Sequence, residues 1–443
     1  MQLLANFLIT LFSANCVLLA WRLGLSGWPA FLFYVVAAAA LAVTHVWPAE
    51  GKFPSKRLKV LRGGGSLLLA YLATLPLSMC LAVWAGVRMV PHSMRTGVFV
   101  AHCLVVLAVT GAAFLSGGLR VFGTSVQLGV KWRVALLLLW WMPLVGYFLA
   151  WKACRVAWSE YRFETAKCAL DQARAENELC RTRYPILLVH GVFFRDSQFL
   201  NYWGRIPGEL IRNGAQVYYG NQQSAASVAD SGRELAARIR EIVEETGCGK
   251  VNMIAHSKGG LDARFAISCL GTAPMVASLT TINTPHRGCV FAERLLELAP
   301  AGFQEKLART YNGALRRLGD QNPDFLAAVR DLTASACARL NERAPDSSKV
   351  LYESVGSYVR RAQGGRFPLN VSYRLVKRFD GQNDGLVSVE SAEWGSRFTL
   401  LEPSGRRGIT HADVIDLGRE NIRGFDVREF YVNLVQRLKE RGY

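Results

Sequence analysis

A serine in a tight turn is the residue of this sequence best suited to do chemistry. Ser257 lies in VNMIAHSKGGLDARF, residues 251–265, which predicts a strand, a turn and a helix. The turn follows the Gly-x-Ser-x-Gly pattern of a nucleophile elbow, with Ala255 in place of the first glycine. Small residues are needed there because the serine backbone is strained and the strand and helix pass close together. The pattern therefore predicts a serine that attacks a carbonyl carbon.

A second motif, upstream, could supply donors for the charge that forms on the attacked oxygen. The apolar stretch YPILLVHGVFFRD, residues 184–196, predicts a strand that ends at His190 and Gly191. We expect the backbone N–H groups of Val192 and Lys258 to form an oxyanion hole, as in an α/β-hydrolase. The alternative is a buried strand followed by an ordinary turn.

The histidine that would activate Ser257 can be selected by elimination. His190 belongs to the oxyanion loop, and His256 adjoins the nucleophile, where it cannot face the serine as a base. His286 precedes the candidate acids, whereas this fold has the chain order Ser, acid, His. His411 therefore remains as the base, on a loop after the strand-like stretch SRFTLLEP.

Two carboxylates are candidates for the acid that orients the histidine. The stretch LNVSYRLVKRF, residues 369–379, predicts a strand, and DGQNDGLVS follows it directly. Asp384 is favoured because Asn-Asp-Gly puts a carboxylate on a tight turn, and Asp380 is the second candidate. Either aspartate could instead only stabilise the turn. The sequence thus predicts a triad of Ser257, Asp384 and His411.

The region from about 184 to 443 resembles the bacterial triacylglycerol lipase family. The resemblance rests on VHG, AHSKGG, NTPHRG, QNDGLVS and the His-x-Asp at 411–413, which occur in this order. It implies an α/β-hydrolase fold, the same triad and oxyanion donors, and a lipid ester as substrate. Lys258 differs from the glutamine or methionine common at this position in secreted members. Its side chain could pair with an acid or an anionic head group, but a solvated side chain is the simpler interpretation.

The same resemblance raises the question of a calcium ion. Secreted members hold calcium near the catalytic histidine, partly through an acid two residues after it, which here is Asp413. The partner acid expected some twenty residues before the catalytic aspartate is missing, because Glu353 is the only carboxylate between 351 and 379. Since a hard dication is normally held by more than one carboxylate, this argues against calcium. We expect no metal and no other cofactor.

Four side chains are candidates for contact with the substrate. Phe193, Phe194 and Trp203 lie in the segment that follows the oxyanion loop, and His286 follows the predicted strand ASLTTINT. We predict that they line the pocket for the acyl group, although core packing is the ordinary explanation for any one of these aromatic residues.

The first 151 residues predict a membrane region. Residues 1–150 contain 11 Lys and Arg and a single acid. Uncharged runs of about twenty residues, each able to cross the roughly 30 Å hydrocarbon core as a helix, occur near 2–21, 28–47, 66–87, 97–117 and 134–151. Tryptophans lie near the predicted ends, as interfacial aromatics do. We therefore expect about five transmembrane helices in an integral, multi-pass protein of the cell membrane.

Charge and cysteines leave open which side of the membrane the C-terminal region faces. By the positive-inside rule, the basic stretch KFPSKRLKVLR would be cytoplasmic, which puts the C-terminal region outside. The basic residues after the last run favour the opposite topology, and so do seven downstream cysteines without metal-ligand spacing. The net charge of +18 suits an anionic lipid surface. Because the chain has no helix-turn-helix, zinc or RNA-binding signature, we expect a bilayer and no nucleic acid as partner.

These observations predict three parts, namely a transmembrane region (1–151), a juxtamembrane helical linker (152–182) and an α/β-hydrolase domain (183–443) with a helical cap at about 297–347. The cap could act as a lid or simply pack against the domain. We predict a membrane-anchored serine esterase or lipase that hydrolyses carboxylic esters of lipids. One alternative is acyl transfer to another alcohol through the same triad. Another is a non-catalytic membrane sensor with a hydrolase-like pocket.

Overall fold

The chain forms two compact units, Met1–Leu170 and Asp171–Tyr443. The computed structural model describes residues 2–46, 53–192, 202–223, 225–317, 320 and 322–443. One helix, Pro143–Ala173, runs across the predicted boundary at 151. The predicted boundaries at 151 and 182 stay a prediction.

The first unit is helical in its described residues. Its helices are α1 (Gln2–Ala14), α2 (Cys16–Arg22), α3 (Gly27–Val46), α4 (Lys56–Arg88), α5 (Thr96–Thr124), α6 (Gly129–Leu139) and α7 (Pro143–Ala173). By length and composition, α3, α4 and α5 could each cross a membrane, and α1 with α2 could be a fourth span that bends by 62°.

The last of the five predicted spans, 134–151, is divided. Helix α6 ends at Leu139, and α7 begins at Pro143. Proline is favoured at the first position of a helix because its missing N–H would have no partner there. The helix therefore restarts at this proline, and the described helices give three or four candidate spans where the sequence predicted about five.

The second unit contains a parallel six-stranded sheet. Its strands are β1 (Ile186–Val189), β2 (Val217–Tyr219), β3 (Val251–His256), β4 (Val276–Ile282), β5 (Leu351–Ser357) and β6 (Arg397–Leu401). They lie in the order β2-β1-β3-β4-β5-β6, and every neighbouring pair is parallel. Strands β1, β3 and β4 are buried along their whole length, as a sheet covered on both faces requires. The predicted α/β architecture is confirmed.

Helices cover both faces of this sheet. They are α8 (Ile206–Arg212), α9 (Val228–Thr246), α10 (Lys258–Cys269), α11 (Val290–Leu298), α12 (Ala301–Arg317), α13 (Phe325–Arg330), α14 (Ala334–Arg343), α15 (Leu369–Asp380), α16 (Val389–Ala392) and α17 (Val427–Glu440). Leu188 packs on one face with side chains of α8 and α17. Leu187 packs on the other with side chains of α9 and α10. Helices α11 to α14 occupy the chain between β4 and β5, where the cap is predicted.

The stretch before the candidate acid is a helix, so the predicted strand at 369–379 is wrong. Its apolar residues Val371, Leu375 and Phe379 recur every four positions, which puts them on one face of a helix. The stretch forms α15, and the last strand before the acid is β5. The four-residue periodicity of the apolar positions is the signal that identifies the helix.

Candidate active site

Ser257 occupies a strained turn at the carboxyl end of β3. Its φ is 55° and its ψ is −131°, a conformation that a non-glycine residue rarely adopts. Strand β3 ends at His256 and α10 begins at Lys258, so the serine alone makes the turn. A Cβ atom on Gly259 would lie 2.3 Å from the carbonyl oxygen of His190, and only glycine fits there. The predicted strand, turn and helix are present.

The predicted oxyanion loop lies directly against this turn. A Cβ atom on Gly191 would lie 2.8 Å from the Cβ of Ser257 and 2.9 Å from the hydroxyl oxygen of Tyr202. Among the described residues, no acceptor takes the backbone N–H of Val192 or of Lys258. Both groups are therefore able to donate to an oxygen that develops charge beside the serine.

His411 and Asp384 are joined by a hydrogen bond. The ring Nδ1 of His411 lies 2.6 Å from Oδ2 of Asp384. Because a carboxylate oxygen accepts, Nδ1 carries the hydrogen, and Nε2 is left as the acceptor that a general base needs. The other oxygen, Oδ1, accepts from the backbone N–H groups of Leu386 and Val387, each at 2.8 Å. The carboxylate is completely buried and oriented from both sides.

The second candidate acid has a different role. The two carboxylate oxygens of Asp380 accept from the backbone N–H groups of Val290 at 2.8 Å and Phe291 at 2.9 Å. These N–H groups belong to the first turn of α11, which has no partners for them within the helix. Asp380 therefore caps α11, whereas Asp384 bonds to the histidine.

Asn283 is a residue of this site that the sequence did not reveal. It follows β4 with a φ of 46°, and its Nδ2 donates to Oδ2 of Asp384 at 2.5 Å and to Oγ of Ser357 at 2.7 Å. Asn283 begins the motif NTPHRG, of which only His286 is predicted to contact substrate. The signal that points to Asn283 is its position at the carboxyl end of a buried parallel strand, the edge where such sheets carry their sites.

His256 connects the base to the oxyanion loop. Its ring lies against that of His411, with centroids 4.4 Å apart. The hydroxyl of Tyr202 accepts from the backbone N–H of Gly191 at 3.0 Å and shares a hydrogen bond of 2.6 Å with Nδ1 of His256. Burial, with a smaller contribution from His411, lowers the pKa of His256 well below its ordinary value. His256 therefore stays neutral, packs against His411 and is the hydrogen-bond partner of Tyr202.

The side chain of Lys258 is buried, so the simple interpretation of a solvated lysine is wrong. Its Nζ donates to Oδ1 of Asp262 at 2.6 Å and to Oγ of Ser231 at 3.0 Å. Burial raises the pKa of Asp262 to about 7, and the ammonium group of Lys258 opposes this rise. The pair fixes the first turn of α10, whose leading N–H is a predicted oxyanion donor.

Two of the four predicted substrate-contacting residues are described by the structure, and both are buried. Trp203 is completely buried in the core and packs against His256 and Tyr431. His286 is also completely buried, where it stacks on Trp394 at 5.0 Å. Phe193 and Phe194 lie outside the described residues. The role of all four residues in binding substrate stays a prediction.

The surroundings of Asp413 do not fit a calcium ion. Oδ1 accepts from Nη2 of Arg407 at 2.8 Å, and Oδ2 accepts from the backbone N–H of Thr410 at 2.8 Å and its hydroxyl at 2.6 Å. Protein donors thus engage both oxygens. Glu353, the only carboxylate in the stretch where a partner acid was sought, pairs with Arg441.

Another group of acids, which does not include Asp384, converges in the second unit. Carboxylate oxygens of Asp171, Glu209 and Glu429 lie close enough together to hold a metal ion. The guanidinium group of Arg174 donates to Asp171 at 2.8 Å and to Glu429 at 2.7 Å. Arg174 therefore forms ion pairs with two of these three carboxylates through these hydrogen bonds.

A parallel sheet with a strained serine at the turn after a central strand is the arrangement of an α/β-hydrolase. Comparison with known proteins narrows the class. The family of DUF676 serine esterases matches residues 214–353. A triacylglycerol lipase of Vibrio cholerae is 30% identical over 296 residues, which cover 61% of this chain and 92% of the relative. The chain belongs to the triacylglycerol lipase family, a family of carboxylic ester hydrolases.

Other relatives match over a smaller share of their length. A triacylglycerol lipase of Burkholderia plantarii is 35% identical over 188 residues, which cover 40% of this chain and 52% of the relative. The chain spans about half the length of this relative and of another from Pseudarthrobacter phenanthrenivorans. The crystal structure of Bacillus licheniformis lipase BlEst2 in mature form aligns with a TM-score of 0.43 and 23% identity, covering 57% of this chain and 91% of that one.

Proposed function

We propose that this chain is a membrane-embedded serine hydrolase that cleaves carboxylic esters of lipids. Membership of the triacylglycerol lipase family supports ester hydrolysis. The observation that carries the proposal is the 2.6 Å hydrogen bond between Asp384 and His411, whose ring packs on the residue before Ser257. A buried carboxylate, a histidine of defined tautomer and a strained serine are the three parts that acyl transfer to serine requires.

Each residue has a defined task in the proposed reaction. His411 takes the proton from Ser257 through Nε2, and the serine Oγ attacks the ester carbonyl carbon. The backbone N–H groups of Val192 and Lys258 donate to the oxygen that becomes negative in the tetrahedral intermediate. Asp384 stabilises the imidazolium, which then gives its proton to the leaving alcohol. A water molecule, deprotonated by His411, then attacks the acyl-serine, and the imidazolium returns this proton to the serine Oγ as the carboxylic acid leaves.

The proposed substrate is a lipid ester presented by a bilayer. Relatives named triacylglycerol lipase support a lipid ester. Three or four apolar helices of sufficient length support residence in a membrane. An enzyme anchored in this way meets its substrate by diffusion in the plane of the bilayer.

The nucleophile can be tested with a membrane-impermeant fluorophosphonate, which phosphonylates activated serines. We expect full-length wild-type protein to be labelled and Ser257→Ala not to be. Ser404→Ala, which changes an exposed serine of the same unit, is the matched control and keeps wild-type labelling. Labelling of intact cells compared with lysed cells reports which side of the membrane the serine faces.

Two results would count against the proposal. Folded wild-type protein that is not labelled in lysed cells would exclude an activated serine and favour the membrane sensor. Labelled protein that converts a fatty ester and an added alcohol only into a new ester, with no free fatty acid, would show acyl transfer instead of hydrolysis.

Membrane residence has its own test. An integral protein stays in the pellet when membranes are washed with alkaline carbonate, because its spans are held by the hydrophobic effect and not by charge. We expect the full-length protein to stay in the pellet. Its release into the wash would exclude spanning by α3, α4 and α5.

A further inference from the structure

A single guanidinium group holds together the segments around His411. Nη2 of Arg407 lies 2.8 Å from Oδ1 of Asp413. Nη1 of the same side chain donates to the carbonyl oxygens of Gly364 at 2.8 Å and Gly408 at 3.2 Å. Arg407 thus joins the segment between β5 and α15 to the loop after β6.

The contact continues from Asp413 to the histidine. Oδ2 of Asp413 accepts from the backbone N–H and from the hydroxyl of Thr410. Thr410 is the residue before His411, whose own backbone N–H donates to the carbonyl oxygen of Asp384 at 3.0 Å. Fixing Thr410 therefore fixes the peptide from which the base projects, and a small displacement of a base is costly for catalysis.

The charges around Arg407 are already balanced. Glu420 lies 3.5 Å from its guanidinium group through Oε2 and pairs with Arg366 through Oε1. Asp413 and Glu420 thus face Arg407 and Arg366, two acids against two cations. A dication placed among them would add charge that the described carboxylates do not compensate.

The segments that Arg407 joins are those that would hold calcium in secreted relatives according to the family resemblance. One carries Asp413, two residues after His411. The other includes Gly364, twenty residues before Asp384, where the missing partner acid was expected. We propose that Arg407 takes the place of a calcium ion as the cation that positions His411, so that this hydrolase works without calcium. This inference rests on the proposed function.

The test uses the full-length protein in detergent micelles, with a soluble short-chain ester as substrate. Wild-type kcat and KM are expected to be the same, within twofold, in EGTA and in added calcium chloride. Arg407→Gln is expected to lower kcat by up to about a hundredfold with little change in KM, since the base is displaced while the binding surface stays. Arg406→Gln, which changes the exposed neighbouring arginine, is the matched control and retains wild-type kcat.

Rescue separates a positioning cation from a general loss of stability. Arg407→Lys is expected to recover part of kcat, because an ammonium group supplies the charge but not the fork of donors. Free guanidinium ion at low millimolar concentration is expected to raise the kcat of Arg407→Ala and to leave wild type unchanged. A variant that merely destabilised the fold would gain nothing from this ion.

Three results would overturn the inference. The first is inactivation of wild type by EGTA with recovery in calcium, a result that does not depend on the folding of any variant. The second is an Arg407→Gln protein that has the kcat of wild type. Folded Arg407→Ala that gains no kcat from guanidinium ion would exclude a positioning cation. Failure of the proposed function is a different result, since wild type would then neither hydrolyse the ester nor react with the fluorophosphonate.

Discussion

His411 donates to Asp384 twice, through its ring and through its backbone. The ring Nδ1 lies 2.6 Å from the carboxylate Oδ2, and the backbone N–H lies 3.0 Å from the carbonyl oxygen of Asp384. The second bond joins the loop after β6 to the loop after α15 without involving either side chain. The two loops therefore keep their register when the carboxylate is changed, which allows the acid to be tested by a nearly isosteric substitution.

We expect Asp384→Asn to lower kcat by about 10⁴-fold while the protein stays folded. An amide can donate to Nδ1, which would favour the wrong tautomer and remove the acceptor at Nε2. The measurement is steady-state hydrolysis of a soluble ester, together with the midpoint of thermal unfolding.

Asp380→Asn is the matched control for this substitution. Asp380 caps the first turn of α11, so its change is expected to cost about 1 kcal/mol of stability and to leave kcat within a few-fold of wild type. Equal losses of kcat in the two variants would contradict the assignment of the acid.

Asn283→Gly tests the second donor to Asp384. Glycine accepts the φ of 46° without strain, so the effect reports the lost side chain and not the backbone. We expect the free energy of unfolding to fall by about 1.5 to 3 kcal/mol, the range for a hydrogen bond to a charged group. We also expect a lower kcat, because the carboxylate is less well oriented.

Ser357→Ala is its control. Ser357 accepts from Asn283, and within the described part of the chain it makes no hydrogen bond to His411, Leu386 or Val387, the other donors to Asp384. We expect it to change kcat less than Asn283→Gly does. The reverse order, measured by steady-state kinetics, would argue that Asn283 serves the core and not Asp384.

Tyr202→Phe removes the hydroxyl that joins Gly191 to His256. We expect a loss of stability of about 1 to 3 kcal/mol, because a buried N–H loses its acceptor, and a fall in kcat of at least about tenfold, because the oxyanion loop is released. Tyr431→Phe also removes a buried hydroxyl, which donates to the carbonyl oxygen of Val414 at 2.9 Å. It is expected to cost stability with kcat retained, and a similar kcat loss in both variants would contradict the role of Tyr202.

Asp262 gives the stability a pH dependence of unusual sign. Burial raises its pKa from 3.8 to about 7, so between these values the folded state binds a proton that the unfolded state does not. The contribution of Asp262 to stability therefore falls as pH rises from about 4 to about 7, by at most about 4 kcal/mol. Asp262→Asn lacks this contribution.

The difference in unfolding midpoint between wild type and Asp262→Asn isolates the effect, since His256 and the other titrating groups are present in both proteins. We expect the unfolding midpoint of wild type, relative to that of Asp262→Asn, to fall from pH 4.5 to pH 7.5. A difference in midpoint that stays constant or grows with pH would show that the ammonium group of Lys258 affects the pKa of Asp262 more than burial does.

The sequence could predict the parts of this fold that depend on neighbouring residues. The elbow at Ser257 and the strands β1, β3 and β4 follow from local spacing, from glycines where backbones approach and from short apolar runs. The choice of Asp384 over Asp380 came from turn chemistry, and the structure brings Asp384, not Asp380, to His411. The strand invoked to place it was wrong, since α15 precedes the turn.

The rest depends on contacts between distant segments. Asn283 reaches Asp384 only because β4 and β5 are neighbours in the sheet. Arg407 reaches Gly364 only because the loop after β6 lies beside the segment between β5 and α15. Lys258 looked solvated at the start of a helix, but Asp262 and Ser231 enclose it. Linear spacing does not record such neighbours.

The cation that faces Asp413 is the guanidinium group of Arg407, a side chain of this chain. Free calcium differs by orders of magnitude between the cytoplasm and the outside of a cell, and a site that had to recruit calcium would be loaded on one side only. A guanidinium group is charged at any physiological pH and is present as soon as the chain has folded. Because the cation proposed to position His411 belongs to the chain, its supply is the same on the cytoplasmic and on the outer side of a cell.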